Sequence, residues 1–387
     1  MRKTKRRSKG LMKKRKGWGA CGFFALFLLF AALFSSLTLK AEAYSLEEYS
    51  LIDENTQGVL NDFIEIIPEG MEEVADPSGS ADAVGMAFLL ECIADTVNGK
   101  AGELTVFLLT LIGLSMLTSL ASMKEGEIGK ACRGSVSIVA AAVILDKMFA
   151  LVDVIGESLA DINEFYALVI PIVSSVNALG LSLGVASAQA AGMSLSLQIY
   201  SFLSGGFLYS FVGALTALGA LSSIDGTSFG RIAQSVKKAF LWFVGIITAF
   251  MGATFSLQSL ISSYADSTVM RGAKYAVAGM IPIVGSSISG ALSVLASGFS
   301  YLKGAVGGGA IAIIITFAIA PLVTLLLYRA AFGIAMLFSD ICLQDGSVGV
   351  LGAFSFAIDS LIAVYSLTMV IYIVQLAVFL KGGVALA

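Results

Sequence analysis

No histidine occurs among the 387 residues. That absence excludes imidazole acid–base catalysis, serine–histidine and cysteine–histidine nucleophile pairs, and imidazole metal sites. Cysteine is scarce too: Cys21, Cys92, Cys132 and Cys342 contain no CxxC pair, so neither a disulfide framework nor a thiolate metal site is expected. Charged residues make up only 13% of the chain, against ~25% in a soluble domain. With a mean hydropathy of +0.90, such a chain cannot cover a water-facing surface, and it reads as a polytopic membrane protein. Phosphate-binding loops, dinucleotide fingerprints and metal motifs are absent as well. Neither an enzymatic activity nor a cofactor is expected.

What charge there is falls in blocks. Residues 1–16 hold ten basic side chains, and an apolar run, ACGFFALFLLFAALFSSLTL, follows directly. A basic start, an apolar stretch and the small-residue site Ala41-Glu42-Ala43 form the pattern of a secretory signal peptide, with cleavage expected before Tyr44. An uncleaved signal anchor is the alternative. The apolar run also argues against a nucleic-acid role for the basic start. Residues 44–99 hold thirteen acidic residues and no basic one, and they are expected to form a short helical extracytoplasmic segment.

Beyond residue 100 the apolar runs are 104–122, 135–155, 166–186, 194–221, 239–262, 276–297, 305–338 and 350–380. Lys124, Lys130 and Arg133 mark one cytoplasmic loop, and Arg231, Lys237 and Lys238 mark another. The acidic stretch Glu157–Phe165 is expected to be an outside loop. Both basic loops lie inside if one segment before Arg231 is a re-entrant or broken hairpin rather than a full span. Arg271 and Lys274 would then lie outside, so six-span and eight-span readings both remain open.

Two of the five prolines sit in the same frame, Ile170-Pro171-Ile172-Val173 and Ile281-Pro282-Ile283-Val284. Proline removes a helical N–H and crowds the preceding turn. Polar and small residues follow each one, Ser175 and Asn177 after the first, Gly285 and Ser286 after the second, and their polar groups need protein or water around them. Each proline segment precedes a long span, a D-G-[ST] turn (Asp225-Gly226-Thr227 and Asp345-Gly346-Ser347) and a returning span. Chance recurrence in an Ile-rich chain is the bland account. The sharper one is a parallel internal repeat whose broken helices line a common route, an arrangement known in transporters.

The expected fold class is therefore all-α. It is a polytopic membrane helix bundle with two parallel hairpin-span-span repeats, preceded by a signal peptide and the extracytoplasmic segment. The expected units are 1–43, 44–100, a two-span unit 101–160, repeat 1 over 161–265 and repeat 2 over 266–387. Intramembrane charges are costly and mark functional sites or partners. Asp146 and Lys147 read as a neutralised neighbour pair, Asp359 has no basic residue close in sequence, and Arg329 is expected to reach the interface. Gln198, Gln258 and Gln375 are expected to bond between helices, and Gly205-Gly206 and Gly307-Gly308-Gly309 to permit close packing.

The order of features, with FYALVIPIVSSVNALGLSLG, then Arg271-Gly272-Ala273-Lys274-Tyr275 and Ile281-Pro282-Ile283-Val284-Gly285, resembles the stage III sporulation protein AE family over roughly residues 100–387. Members of that family tend to carry Asp and Thr just after the second proline, where this chain reads Ser286-Ser287-Ile288-Ser289-Gly290. The resemblance implies a membrane subunit of a complex between mother cell and forespore. Its partners would be other membrane proteins of that complex and a forespore-side protein in the intermembrane space. The residues alone leave a second class open, a stand-alone secondary transporter for a small solute.

Overall fold

The computed structural model describes residues 54–68, 71, 86–122, 127–179, 183–222, 232, 235–258, 260, 285–341 and 347–381. The chain divides into two units, Met1–Tyr44 and Ser45–Ala387, and every described residue lies in the second. The elements are α1 (Glu54–Glu65), α2 (Met86–Ser122), α3 (Glu127–Leu179), α4 (Leu183–Phe202), a π-helical turn (Leu203–Phe207) and α5 (Leu208–Ser222). They continue with α6 (Ser235–Gln258), α7 (Gly285–Ile341) and α8 (Ser347–Lys381). No strand occurs among the described residues.

Among the described residues, five helical stretches are long and apolar enough to cross a membrane: Phe88–Leu117, Ala186–Leu218, Ser235–Gln258, Leu302–Ser339 and Phe354–Leu380. Five of the runs expected from sequence overlap them. The expected pair 135–155 and 166–186 does not appear as two spans. Residues 127–179 form one helix of 53 residues, about 80 Å long at 1.5 Å per residue. The acidic stretch expected as a loop is helical because its apolar residues keep the helical period: Met148, Val152, Ile155, Leu159, Ile162 and Tyr166 are all buried on one face.

Pro171 lies inside α3 and does not end it, and Pro321 lies inside α7. Ser175 Oγ donates back to the Pro171 carbonyl at 3.0 Å. The chain leaves the helix only after Leu179, and α4 returns packed along α3. Pro282, Arg271, Lys274, Cys21 and the Asp225 turn lie outside the described residues.

Helix α8 is the centre of the bundle. It packs on α7, α5, α3 and α4, and 61% of its span is buried. Helix α7 runs antiparallel beside it. Arg329 pairs with Asp359 at one end of this contact, and Lys303 Nζ lies 5.4 Å from the centre of the Phe379 ring at the other. Between these charges, residues 304–328 of α7 and 360–380 of α8 carry none. At 1.5 Å per residue those stretches measure about 37 and about 31 Å, close to one ~30 Å hydrocarbon thickness.

Two glycine sites expected to act alike differ. At Gly307 an added Cβ would meet Leu380 Cδ2 at 2.7 Å and Phe379 Cδ1 at 3.1 Å, so α7 and α8 approach closely there. At Gly205 the backbone itself departs from the helix (φ −79°, ψ −137°), and an added Cβ would meet nothing within 4 Å. The second glycine relieves no crowding; it sits where the α4–α5 path bends.

Candidate functional site

A seam of neutral polar side chains runs through the buried contact of α3, α4 and α8. Its residues come from parallel rows on α3 and α8. Ser158 and Tyr365 share a hydrogen bond of 2.9 Å, and the Tyr372 hydroxyl donates to Asn163 Oδ1 at 2.6 Å. The Tyr166 hydroxyl donates to Gln375 Oε1. The Tyr166 and Tyr372 rings stack with centroids 3.9 Å apart. Helix α4 closes the third side: Gln375 Nε2 donates to the Gly192 carbonyl at 3.0 Å and to Ser196 Oγ at 2.6 Å. Asn163 Nδ2 donates to Ser204 Oγ at 3.2 Å, in the π-helical turn just before Gly205.

Such pairing is what burial demands, because an unpaired buried amide or hydroxyl costs about 1–3 kcal/mol. The seam holds no carboxylate or amine, so it can bind and orient by hydrogen bonds but offers no strong acid or base. Three buried atoms have no hydrogen-bond partner among the described residues: Gln189 Nε2, the Tyr200 hydroxyl and Gln258 Nε2. Gln258 Nε2 sits against Gly192, 1.3 Å from where a Cβ would be placed, so a larger residue there would have to move the end of the Gln258 side chain.

A second polar layer ties the helices at one end of the seam. Glu103 of α2 accepts from the Tyr328 hydroxyl of α7 at 2.7 Å, from Lys147 of α3 at 3.2 Å and from Lys100 at 3.3 Å. Beside Tyr328, Arg329 Nε donates to Asp359 Oδ1 at 2.5 Å. The charged side chains of this layer are between 32% and 41% exposed, which suits a half-exposed tie between helices better than a buried relay.

The structure redistributes the residues singled out from sequence. Asn177 is buried and donates to Gln189 Oε1 at 2.9 Å, linking α3 to α4. Lys147 pairs with Glu103 rather than with its neighbour Asp146, which is exposed. Adjacent residues on a helix point about 100° apart and do not face each other. Asp359 does have a basic partner, Arg329, thirty residues away on the antiparallel helix. Gly285 and Ser286 open α7. Of the three glutamines, Gln375 bridges α8 to α3 and α4, Gln258 is buried with an unpartnered amide nitrogen, and Gln198 is exposed. Sequence reasoning missed Asn163, Tyr166, Ser196 and Tyr372. The available signal was the three-residue spacing that 163 and 166 share with 372 and 375. Among the described residues, no group of three or more acidic or cysteine side chains could hold a metal ion.

Long apolar helices around a paired polar seam, with charges placed one hydrocarbon thickness apart, define a helical membrane protein with several spans. The chain belongs to the stage III sporulation protein AE family, whose family model matches residues 78–383. Comparison with curated proteins and with solved structures gave no match.

Proposed function

We propose that this chain is a non-enzymatic, multi-pass subunit of a trans-envelope complex between mother cell and forespore, needed for forespore development after engulfment. It resides in the mother-cell membrane around the forespore. It assembles there with other membrane proteins of the complex and with a forespore-side partner. The family match over residues 78–383 carries this reading, and the five candidate membrane spans agree with it. The acidic segment 44–100 faces the intermembrane space, after removal of the signal peptide. The two proline segments belong to a parallel repeat around the route through the protein.

The test is a clean deletion in the native endospore former. Forespores that engulf normally, then collapse and fail late gene expression, are the expected outcome. Normal spores would overturn the reading and move solute transport by the chain alone to the front.

A further inference from the structure

Four carboxamides from four helices converge on one turn of α4. Asn177 of α3 donates to Gln189 Oε1 of α4 at 2.9 Å. Gln375 of α8 donates to the Gly192 carbonyl at 3.0 Å and to Ser196 Oγ at 2.6 Å. Gln258 of α6 brings its Nε2 to within 1.3 Å of the place where a side chain on Gly192 would start. Gln189 lies three residues before Gly192 on the same face of α4, so the Gln258 nitrogen sits about 5–6 Å from Gln189 Cβ. All four side chains are deeply buried: Asn177 and Gln189 are 4% exposed, Gln258 6% and Gln375 1%.

Their hydrogen bonds do not balance. Each carboxamide carries two N–H groups and one acceptor oxygen. Gln189 Oε1 is taken by Asn177, and Gln375 Oε1 by the Tyr166 hydroxyl. The Gly192 carbonyl accepts from Gln375 and also from Ser196 Oγ at 3.0 Å. What is left over is two donors, Gln189 Nε2 and Gln258 Nε2, both buried and without a partner among the described residues. Two amide nitrogens cannot bond to each other, because neither accepts. The Tyr200 hydroxyl, the third such group, lies eight residues beyond Gly192, about 12 Å along the helix, and belongs to a different place.

A surplus of buried donors calls for an acceptor. Two unpartnered amides carry a desolvation cost that an incoming oxygen recovers. The four amides are uncharged and offer an ion no counter-charge, so burying one among them would be costly, and the site selects a neutral group. An oxygen with two lone pairs can accept from both amides at once, as water or an amide carbonyl does.

We propose that the amide nitrogens of Gln189 and Gln258, flanked by Asn177 and Gln375, form a buried donor site that holds an uncharged acceptor oxygen, from water or from the carbonyl of a small neutral solute. This goes beyond the proposed function and does not rest on it.

The chain has seven glutamines, so the full chain labelled with nitrogen-15 only at glutamine side chains gives a sparse solid-state NMR spectrum in lipid bilayers. Gln258→Met, Gln189→Glu and Gln375→Glu each delete one signal and so assign it. The first strands no described partner, and the other two keep an oxygen for Asn177 and Tyr166 to bond. Magnetisation transfer from water is expected to build up at least about 3-fold faster at Gln189 and Gln258 than at Gln375, whose amide protein groups already fill. Slow transfer at both, with both signals shifting saturably as N-methylacetamide is added, would support the site with a solute carbonyl as its occupant. Slow transfer with no shift would overturn the proposal by showing two dry donors. Fast transfer at only one of the pair would overturn the shared site.

Discussion

Helices α6 and α8 have nearly the same mean hydropathy, 1.9 and 2.2, yet 11% of the first span is buried and 61% of the second. Apolarity sends both into the bilayer and does not decide which becomes the core. The difference lies in the polar residues each carries and in what meets them. Helix α8 places Tyr365, Tyr372 and Gln375 on the side that faces α3, and each finds a partner there. Helix α6 turns Leu241, Trp242, Ile246 and Phe250 outward, and its hydroxyls at Thr248 and Thr254 bond back to carbonyls of their own helix. In lipid, where tails are as apolar as leucine, paired polar groups and close backbone approach supply much of what holds helices together. The central helix is the one that supplies both.

The largest break in this comparison should come from Gln375→Leu. It keeps the volume but strands the Tyr166 hydroxyl and removes both bonds to α4. Stranding buried groups in a network should cost about 3 kcal/mol, read as lost unfolding free energy in mixed micelles. A loss under ~1 kcal/mol would mean the seam is not what centres α8. Next comes Gly307→Ala against Gly252→Ala. The first forces a Cβ into Leu380 and Phe379, whereas the second meets open space on α6. Overpacking should cost about 2 kcal/mol at Gly307, while Gly252→Ala should be neutral or stabilise by up to about 1 kcal/mol. Equal effects would show that the α7–α8 approach is not tight. Smaller again is the Arg329–Asp359 pair. With both side chains about a third exposed, a double-mutant cycle should give under about 1 kcal/mol of coupling. A value of several kcal/mol would place the pair inside the hydrocarbon rather than at its edge.

Much of this fold was legible from hydropathy because spans of 20 or so apolar residues need no tertiary information. The membrane class and the approximate limits of four spans followed directly, whereas the first helix begins at Met86, well before the run expected from residue 104. Helix α3 was not legible in the same way. Glu157–Phe165 reads as a polar loop by composition, and only the period of Ile155, Leu159 and Ile162 reveals a helix with one polar face. Pro171 suggested a break, yet the helix runs on for eight more residues to Leu179, since a helix packed against neighbours tolerates the missing N–H. The seam was the least legible part. Its partners sit 207 or 209 residues apart in the chain, and that register is set by how α8 lies along α3, not by either local sequence. The same holds for Asp359, whose counterion lies across an antiparallel helix pair.

The smallest expected effect is also the most discriminating. Gln258 and Gln375 are both buried glutamines in apolar spans, at 6% and 1% exposure, and by sequence alone they are equivalent. Gln375 has three hydrogen bonds, whereas the Nε2 of Gln258 has no partner among the described residues and presses on Gly192. Removing a satisfied amide loses its bonds and strands its partners; removing an unsatisfied one relieves a desolvation cost already present. Gln258→Met should therefore change stability by less than about 0.5 kcal/mol, or raise it, since methionine fills the same length without a buried donor. A loss comparable to that of Gln375→Leu would show that the Gln258 amide is bonded in the membrane. In that case α6 would belong to the polar core with α8, and the contrast between the two helices would fail at that point.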